Sequence, residues 1–200
     1  MSETPNGLLP STFEHLFERM VHPVANLLAR MGFTPDLVTI ISLAFAIIAG
    51  VLIAFDHLFW ALLAGIAMGL CDILDGQIAK LISKEGKFGG VLDSMIDRYS
   101  ESMVFCGLGV RFYFLNEPLM ILITALALIG SFEVSYVKAR SEGAGFTCNV
   151  GILQRSERLV LLAVGILFGG VILEIAIIVV AILTHFTTVQ RLLSLRRIQQ

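Results

Sequence analysis

The 200-residue chain is 56% hydrophobic and 15% charged, with a mean hydropathy of +0.87, whereas an ordinary soluble domain carries about 25% charged residues. That balance excludes a soluble globular fold and a disordered one and puts the chain in a lipid bilayer. A formal charge of -2 offers nucleic acid no basic surface, and three cysteines without CxxC or Cys/His spacing exclude a disulfide framework and a zinc site.

Residues 1–36 form an N-terminal segment. Its apolar positions Phe13, Leu16, Phe17, Met20, Val24 and Leu28 recur at three- and four-residue steps behind a capping box of Ser11 and Glu14. This is the pattern of an amphipathic helix lying on the cytoplasmic membrane face, although packing on protein explains it as well. Pro23 is expected to kink this helix, and Gly32, Thr34 and Pro35 to end it. No continuous apolar core follows a basic start, so no cleavable signal peptide is expected and the first span acts as its own address.

Residues 37–200 read as one membrane domain. About 20 apolar residues cross a hydrocarbon core of about 30 Å. Six windows qualify: Leu37 to Phe55, Leu58 to Ile82, Gly89 to Leu115, Pro118 to Lys138, Arg158 to Ile172, and Leu173 to Leu193. Glu174 alone separates the last two, with a tight turn expected near Gly169 to Glu174. The expected fold is an all-α integral membrane protein of six transmembrane helices plus the interfacial helix. With the N-terminus inside, the outer loops near Asp56, Asn116 and Glu174 hold no Lys or Arg, and every basic residue except Arg111 falls on the inner side. The expectation is a multi-pass protein of the cell (inner) membrane, with both termini and the acidic site described next on the cytoplasmic side.

Ionisable groups in apolar spans are costly and mark function. Asp72 and Asp75 stand three residues apart, Asp93 and Asp97 four apart, so each pair shares a helix face, separated by about 60° and about 40°. Four carboxylates in a low dielectric repel one another unless cations stand between them, and hard oxygen ligands suit Mg²⁺ or Mn²⁺. Gly76, Gly89 and Gly90 let a backbone approach a ligand closely, Ala79 extends the small face, and Lys80, Lys84 and Lys87 suggest that the ligand carries phosphate.

Read in order, Asp72-x2-Asp75-Gly76-x2-Ala79-Lys80-x8-Gly89-x3-Asp93-x3-Asp97 resembles the signature of the CDP-alcohol phosphotransferases, matching seven of eight positions over 26 residues. The departure is Lys80, where the family usually has Arg; the charge survives but the bidentate fork does not. The resemblance implies a six-span enzyme, usually a homodimer, that binds two divalent cations and a CDP-lipid such as CDP-diacylglycerol. It implies metal ligation by Asp72, Asp75, Asp93 and Asp97, with Asp97 as general base as well. Nucleotide-lipid contacts would come from Asp75, Gly76, Ala79, Lys80 and Gly89.

Pro35-Asp36-Leu-Val-Thr39, Ser135-Tyr-Val-Lys138-Ala-Arg140 and Arg155-Ser-Glu-Arg158 resemble the phosphatidylinositol-phosphate synthase branch of that family. This adds Asp36 and Thr39 to the CDP-lipid contacts. It also implies a basic pocket of Lys138, Arg158, Arg191 and, more weakly, Arg140 for the phosphate of an inositol phosphate. The reaction implied moves the phosphatidyl group of the CDP-lipid to an inositol phosphate hydroxyl and releases CMP. Glycerol 3-phosphate is the closest alternative acceptor. A divalent-cation transporter is the alternative from another class; against it, the outer halves of the spans carry almost no acids. Positive-inside topology accounts for Arg196 and Arg197, and helix packing for Gly165, Gly169 and Gly170.

Overall fold

The computed structural model describes residues 11–82, 87–148 and 150–198, with side chains from Val21 to Arg196 except Lys87; the Ser11/Glu14 capping box, Lys84 and the side chains of Lys87 and Arg197 lie outside what is described. Seven helices follow one another: α1 (Ser11–Arg30), α2 (Pro35–Ala54), α3 (Leu58–Leu81), α4 (Lys87–Phe114), α5 (Pro118–Gly143), α6 (Arg155–Phe168) and α7 (Gly170–Ile198). Among the described residues there is no strand.

Local chemistry sets the breaks. At the end of α1 the chain closes as predicted: Gly32 takes φ +88, its N–H donates to the Ala29 carbonyl at 3.1 Å, and the Phe33 N–H donates to Leu28 at 3.0 Å. Thr34 then caps α2, its Oγ1 accepting from the Leu37 N–H at 3.3 Å, with Pro35 opening the helix. The same two-bond closure recurs with non-glycine residues at Asp56 (φ 61) and Asn116 (φ 58), the residue types that tolerate the left-handed region. Both turns fall where the sequence reading set loops between spans. Pro23 lies inside α1.

Among the described residues, four helices are long and apolar enough to cross a membrane: α2, α3, α5 and α7. The other two predicted spans differ for visible reasons. Asp93, Asp97, Arg98, Glu101 and Arg111 interrupt the apolar character of α4, and α6 has only 14 residues. The last predicted turn falls at the start of its expected range, while the start of the last span moves. Gly169 (φ 65) and Gly170 (φ 48) alone break α6 from α7, so α7 starts before Leu173 and Glu174 sits within it. Both glycines take the positive φ of a turn, and no heavy atom lies within 4 Å of a Cβ built on Gly170. Gly165 does pack: a Cβ there would lie 2.8 Å from the Ala176 Cβ.

The helices gather into two compact units. The first holds α1, α2, α3 and α4 as far as Arg111, and in it α1, α2 and α3 pack around Ala25, Val38 and Ile78. Here α2 meets α4 backbone to backbone, because a Cβ on Gly50 would overlap the Met103 carbonyl and one on Gly107 would overlap the Gly50 backbone. Arg111, the one basic residue outside the positive-inside pattern, is buried and donates from Nε to Asp56 Oδ1 at 2.7 Å. In the second unit α5 packs on α7 and α6 on α7, with Gly130 leaving room for the Thr184 side chain.

Candidate active site

In the first unit the start of α2, the C-terminal part of α3 and the first turns of α4 carry the predicted acidic and small residues. Asp72, Asp93 and Asp97 are half-buried, and one carboxylate oxygen from each lies within 4.8 Å of the others. Divalent cations bind such oxygens at about 2.0–2.6 Å, so opposed ligands stand about 4–5 Å apart and this donor set fits one hard cation. The i, i+4 step from Asp93 to Asp97 supplies two ligands from one face of α4, and α3 supplies the third.

Asp75 is placed differently from its three partners. It is 6% exposed, and its Oδ2 accepts from the Thr39 Oγ1–H of α2 at 2.7 Å. The three-residue step from Asp72 turns it toward α2, where the hydroxyl satisfies it. It still belongs to the same site, because Asp75 and Asp93 line one open cavity of about 290 Å³ with Asp36, Thr39, Gly76, Ala79, Lys80, Gly89 and Gly90. Asp93 thus joins the carboxylate triad to the cavity. No heavy atom lies within 4 Å of a Cβ built on Gly76, and one built on Gly89 would meet only Asp36 Oδ1, at 3.6 Å. Internal packing therefore does not require glycine at either position, whereas close approach of a ligand to the backbone does.

The sequence reading missed Glu101, which is 2% exposed one turn beyond Asp97. The signal was present, since Asp93, Asp97 and Glu101 form one i, i+4, i+8 series.

The predicted acceptor cations all lie in the second unit, in two different settings. Arg158 is 0% exposed and Arg191 5% exposed. Arg191 donates from Nε to the Val150 carbonyl at 2.8 Å and from Nη1 to the Val134 carbonyl at 2.6 Å. Arg158 Nη1 reaches the Leu153 carbonyl at 3.5 Å, and the Leu153 N–H donates to Thr187 Oγ1 at 3.4 Å. Two buried arginines and a threonine thus hold the Val150–Leu153 backbone. Gly151 makes this possible: its φ is +148, and a Cβ there would lie 2.9 Å from Thr187 Cγ2 and 3.1 Å from Arg191 Nε. Lys138 and Arg140 are exposed. Arg140 lines another cavity of this unit, together with Arg196.

The comparison with known proteins agrees with this geometry. The family model for CDP-alcohol phosphatidyltransferase matches residues 33–190. A phosphatidylinositol phosphate synthase of Mycobacteroides abscessus is 35% identical, over 90% of this chain and 85% of its own. The crystal structure of the Mycobacterium tuberculosis phosphatidylinositol phosphate synthase with CDP-DAG bound superposes with a TM-score of 0.81 at 32% identity, covering 87% of this chain and 92% of the other. A second structure of that enzyme, with manganese and citrate, gives a TM-score of 0.80 at 32% identity over 86% and 87% of the two chains. With the eight-position motif assembled around a carboxylate triad, and a family match over most of its length, this chain belongs to the CDP-alcohol phosphatidyltransferase family and is a metal-dependent enzyme of phospholipid synthesis.

Proposed function

We propose that the chain transfers the phosphatidyl group of CDP-diacylglycerol to a hydroxyl of inositol phosphate, forming phosphatidylinositol phosphate and CMP. The observation that carries this reading is the carboxylate triad opening, through Asp93, onto a cavity lined by the motif's small residues and Lys80. Names of relatives support the choice of acceptor: a 35% identical protein is a phosphatidylinositol phosphate synthase, and its homologue of known structure binds CDP-DAG.

Two divalent cations, Mg²⁺ or Mn²⁺, held by Asp72, Asp75, Asp93 and Asp97, supply positive charge that offsets charge building on the leaving phosphate. The side chains do the rest. Lys80 draws the diphosphate to the rim of the cavity, and Gly76, Ala79 and Gly89 let it approach the backbone. Asp36 and Thr39 border the same space, with Thr39 fixing Asp75. Asp97 accepts the proton of the attacking hydroxyl; its oxygen bonds to the lipid-side phosphorus, the bond from that phosphorus to the CMP oxygen breaks, and CMP leaves. Arg158 and Arg191, both buried, supply positive charge for the phosphate of the acceptor. Lys138 adds an exposed cation to that approach. The same reading makes α4 and α6 membrane helices beside the four apolar ones, places the site and both termini on the cytoplasmic side of the inner membrane, and makes the working form a homodimer.

The test is CMP release from CDP-diacylglycerol by purified protein with Mg²⁺ or Mn²⁺, offered inositol phosphate, glycerol 3-phosphate, inositol or serine. Release with inositol phosphate alone is expected. Release with glycerol 3-phosphate alone would keep the chemistry and overturn the acceptor. No release with any acceptor, joined to cation uptake into sealed vesicles, would replace the enzyme reading with a transporter.

A further inference from the structure

The cavity that contains Arg140 has no part in the transfer chemistry above. It measures about 380 Å³ and lies within the second unit, between the C-terminal parts of α5 and α7. Arg140 and Arg196 supply its charge, and Val137, Phe146, Leu192 and Leu195 its apolar wall. Phe146 is brought there by local geometry: Gly145 takes φ +84, and the Phe146 N–H donates back to the Ser141 carbonyl at 2.9 Å, folding the chain against the end of α5. Tyr136 stands beside it at 60% exposure. Both guanidinium groups are on exposed residues, and neither has a hydrogen-bond or ion-pair partner among the described residues.

We infer that this cavity binds the head of an anionic phospholipid from the surrounding bilayer. Its phosphate would sit between Arg140 and Arg196, and the start of an acyl chain would lie along Leu192, Leu195 and Phe146. Three observations favour a lipid over a free phosphate compound. The wall is largely apolar, and a soluble anion leaves such a wall unused. Both helices that form the cavity are long and apolar enough to cross a membrane, so their ends meet the headgroup layer. A tyrosine at that level is the amphipathic side chain favoured at a membrane interface. Topology alone accounts for basic residues at the ends of spans; it does not account for their meeting over an apolar cavity. The assignment moves Arg140 from the acceptor pocket expected from sequence to a separate lipid site, and it does not depend on which acceptor the enzyme uses.

The experiment is native mass spectrometry of the full chain released from nanodiscs of phosphatidylcholine containing about 20 mol% phosphatidylglycerol, an anionic fraction large enough to give a negative surface. The expected result is retained phosphatidylglycerol whose occupancy falls about tenfold in Arg140→Gln/Arg196→Gln, since each surface arginine contributes a few-fold to anionic-lipid affinity. Arg30→Gln, which removes an exposed arginine of α1, is the control for loss of an arginine outside the cavity and should keep the lipid. Manganese binding to the carboxylate triad, measured on the same samples, reports that the double variant is folded. Equal retention by the double variant and the parent, or equal loss in the Arg30 control, overturns the proposal. Displacement of the lipid by millimolar inorganic phosphate or glycerol phosphate overturns it too, in favour of a soluble-anion site.

Discussion

The two compact units bury charge in opposite ways. In the α1–α4 unit, three carboxylates from two helices share a space of a few ångströms, which makes the site incomplete without a cation. In the α5–α7 unit the buried Arg191 is already bonded to two backbone carbonyls and fixes the Val150–Leu153 loop. The first is a site poised for a metal; the second is a preformed cationic frame whose geometry the protein has already paid for. Removing one member should therefore cost chemistry in the first unit, and acceptor binding together with some stability in the second.

Asp97→Asn should break that comparison most sharply. It preserves side-chain volume but removes one carboxylate of the triad and, on the proposed reading, the general base, so turnover should fall about 10³-fold or more. CDP-lipid binding, followed by calorimetry, should persist because Asp75, Lys80 and the glycine-lined cavity remain. Loss of binding in step with turnover would remove Asp97 from the chemical step and make it part of the donor pocket.

Gly151→Ala tests the preformed frame. The added methyl meets Thr187 Cγ2 at 2.9 Å and Arg191 Nε at 3.1 Å, on a backbone at φ +148 that L side chains rarely adopt. A destabilisation of about 1–3 kcal/mol is expected, read as a lower Tm. The acceptor KM should rise about tenfold while the CDP-lipid KM stays within about twofold, because displacement of Arg191 is confined to the loop. Equal effects on both substrates would mean that the loop serves the fold alone.

Thr39→Val is smaller and belongs to the first unit. It keeps the shape of a buried residue and removes the 2.7 Å bond to Asp75. A hydrogen bond to a charged group is worth about 1.5–3 kcal/mol, so an Asp75 freed to turn should raise the CDP-lipid KM by about tenfold. An unchanged donor KM would show that Asp75 is held by the metal rather than by α2.

These contrasts also explain what could be read in the sequence. The aspartate motif lies within 26 consecutive residues on two successive helices, so helical periodicity sets each pair on one face, and the turns at Gly32, Asp56 and Asn116 follow from local residue chemistry. The partition within the motif was not legible, because Asp75 is turned aside by Thr39, 36 residues away in another helix. The Gly151 and Arg191 contact joins residues 40 positions apart, and nothing in a lone glycine announces it. The break at Gly169 and Gly170 was blurred by an unbroken apolar run, in which Glu174 was the more visible but wrong marker.

The gentlest substitution addresses the one place where the motif departs from its family. Lys80 is exposed at the rim of the cavity, with Asp75, Gly76 and Ala79 behind it on α3. An ammonium group attracts a diphosphate as a point charge, whereas a guanidinium presents two parallel N–H groups to the same oxygens. Lys80→Arg should lower the CDP-lipid KM about threefold, the gain of less than one added charge-assisted hydrogen bond, and leave the acceptor KM unchanged. Salt titration of the donor KM sharpens the reading: a point charge loses its pull steeply as ionic strength rises, and a bidentate contact retains more of it. If the arginine variant instead binds donor more weakly at every salt concentration, the diphosphate does not present a pair of oxygens to this position. The lysine would then be fitted to a single oxygen, and the departure from the family pattern would be a matched feature of this chain rather than a weaker substitute.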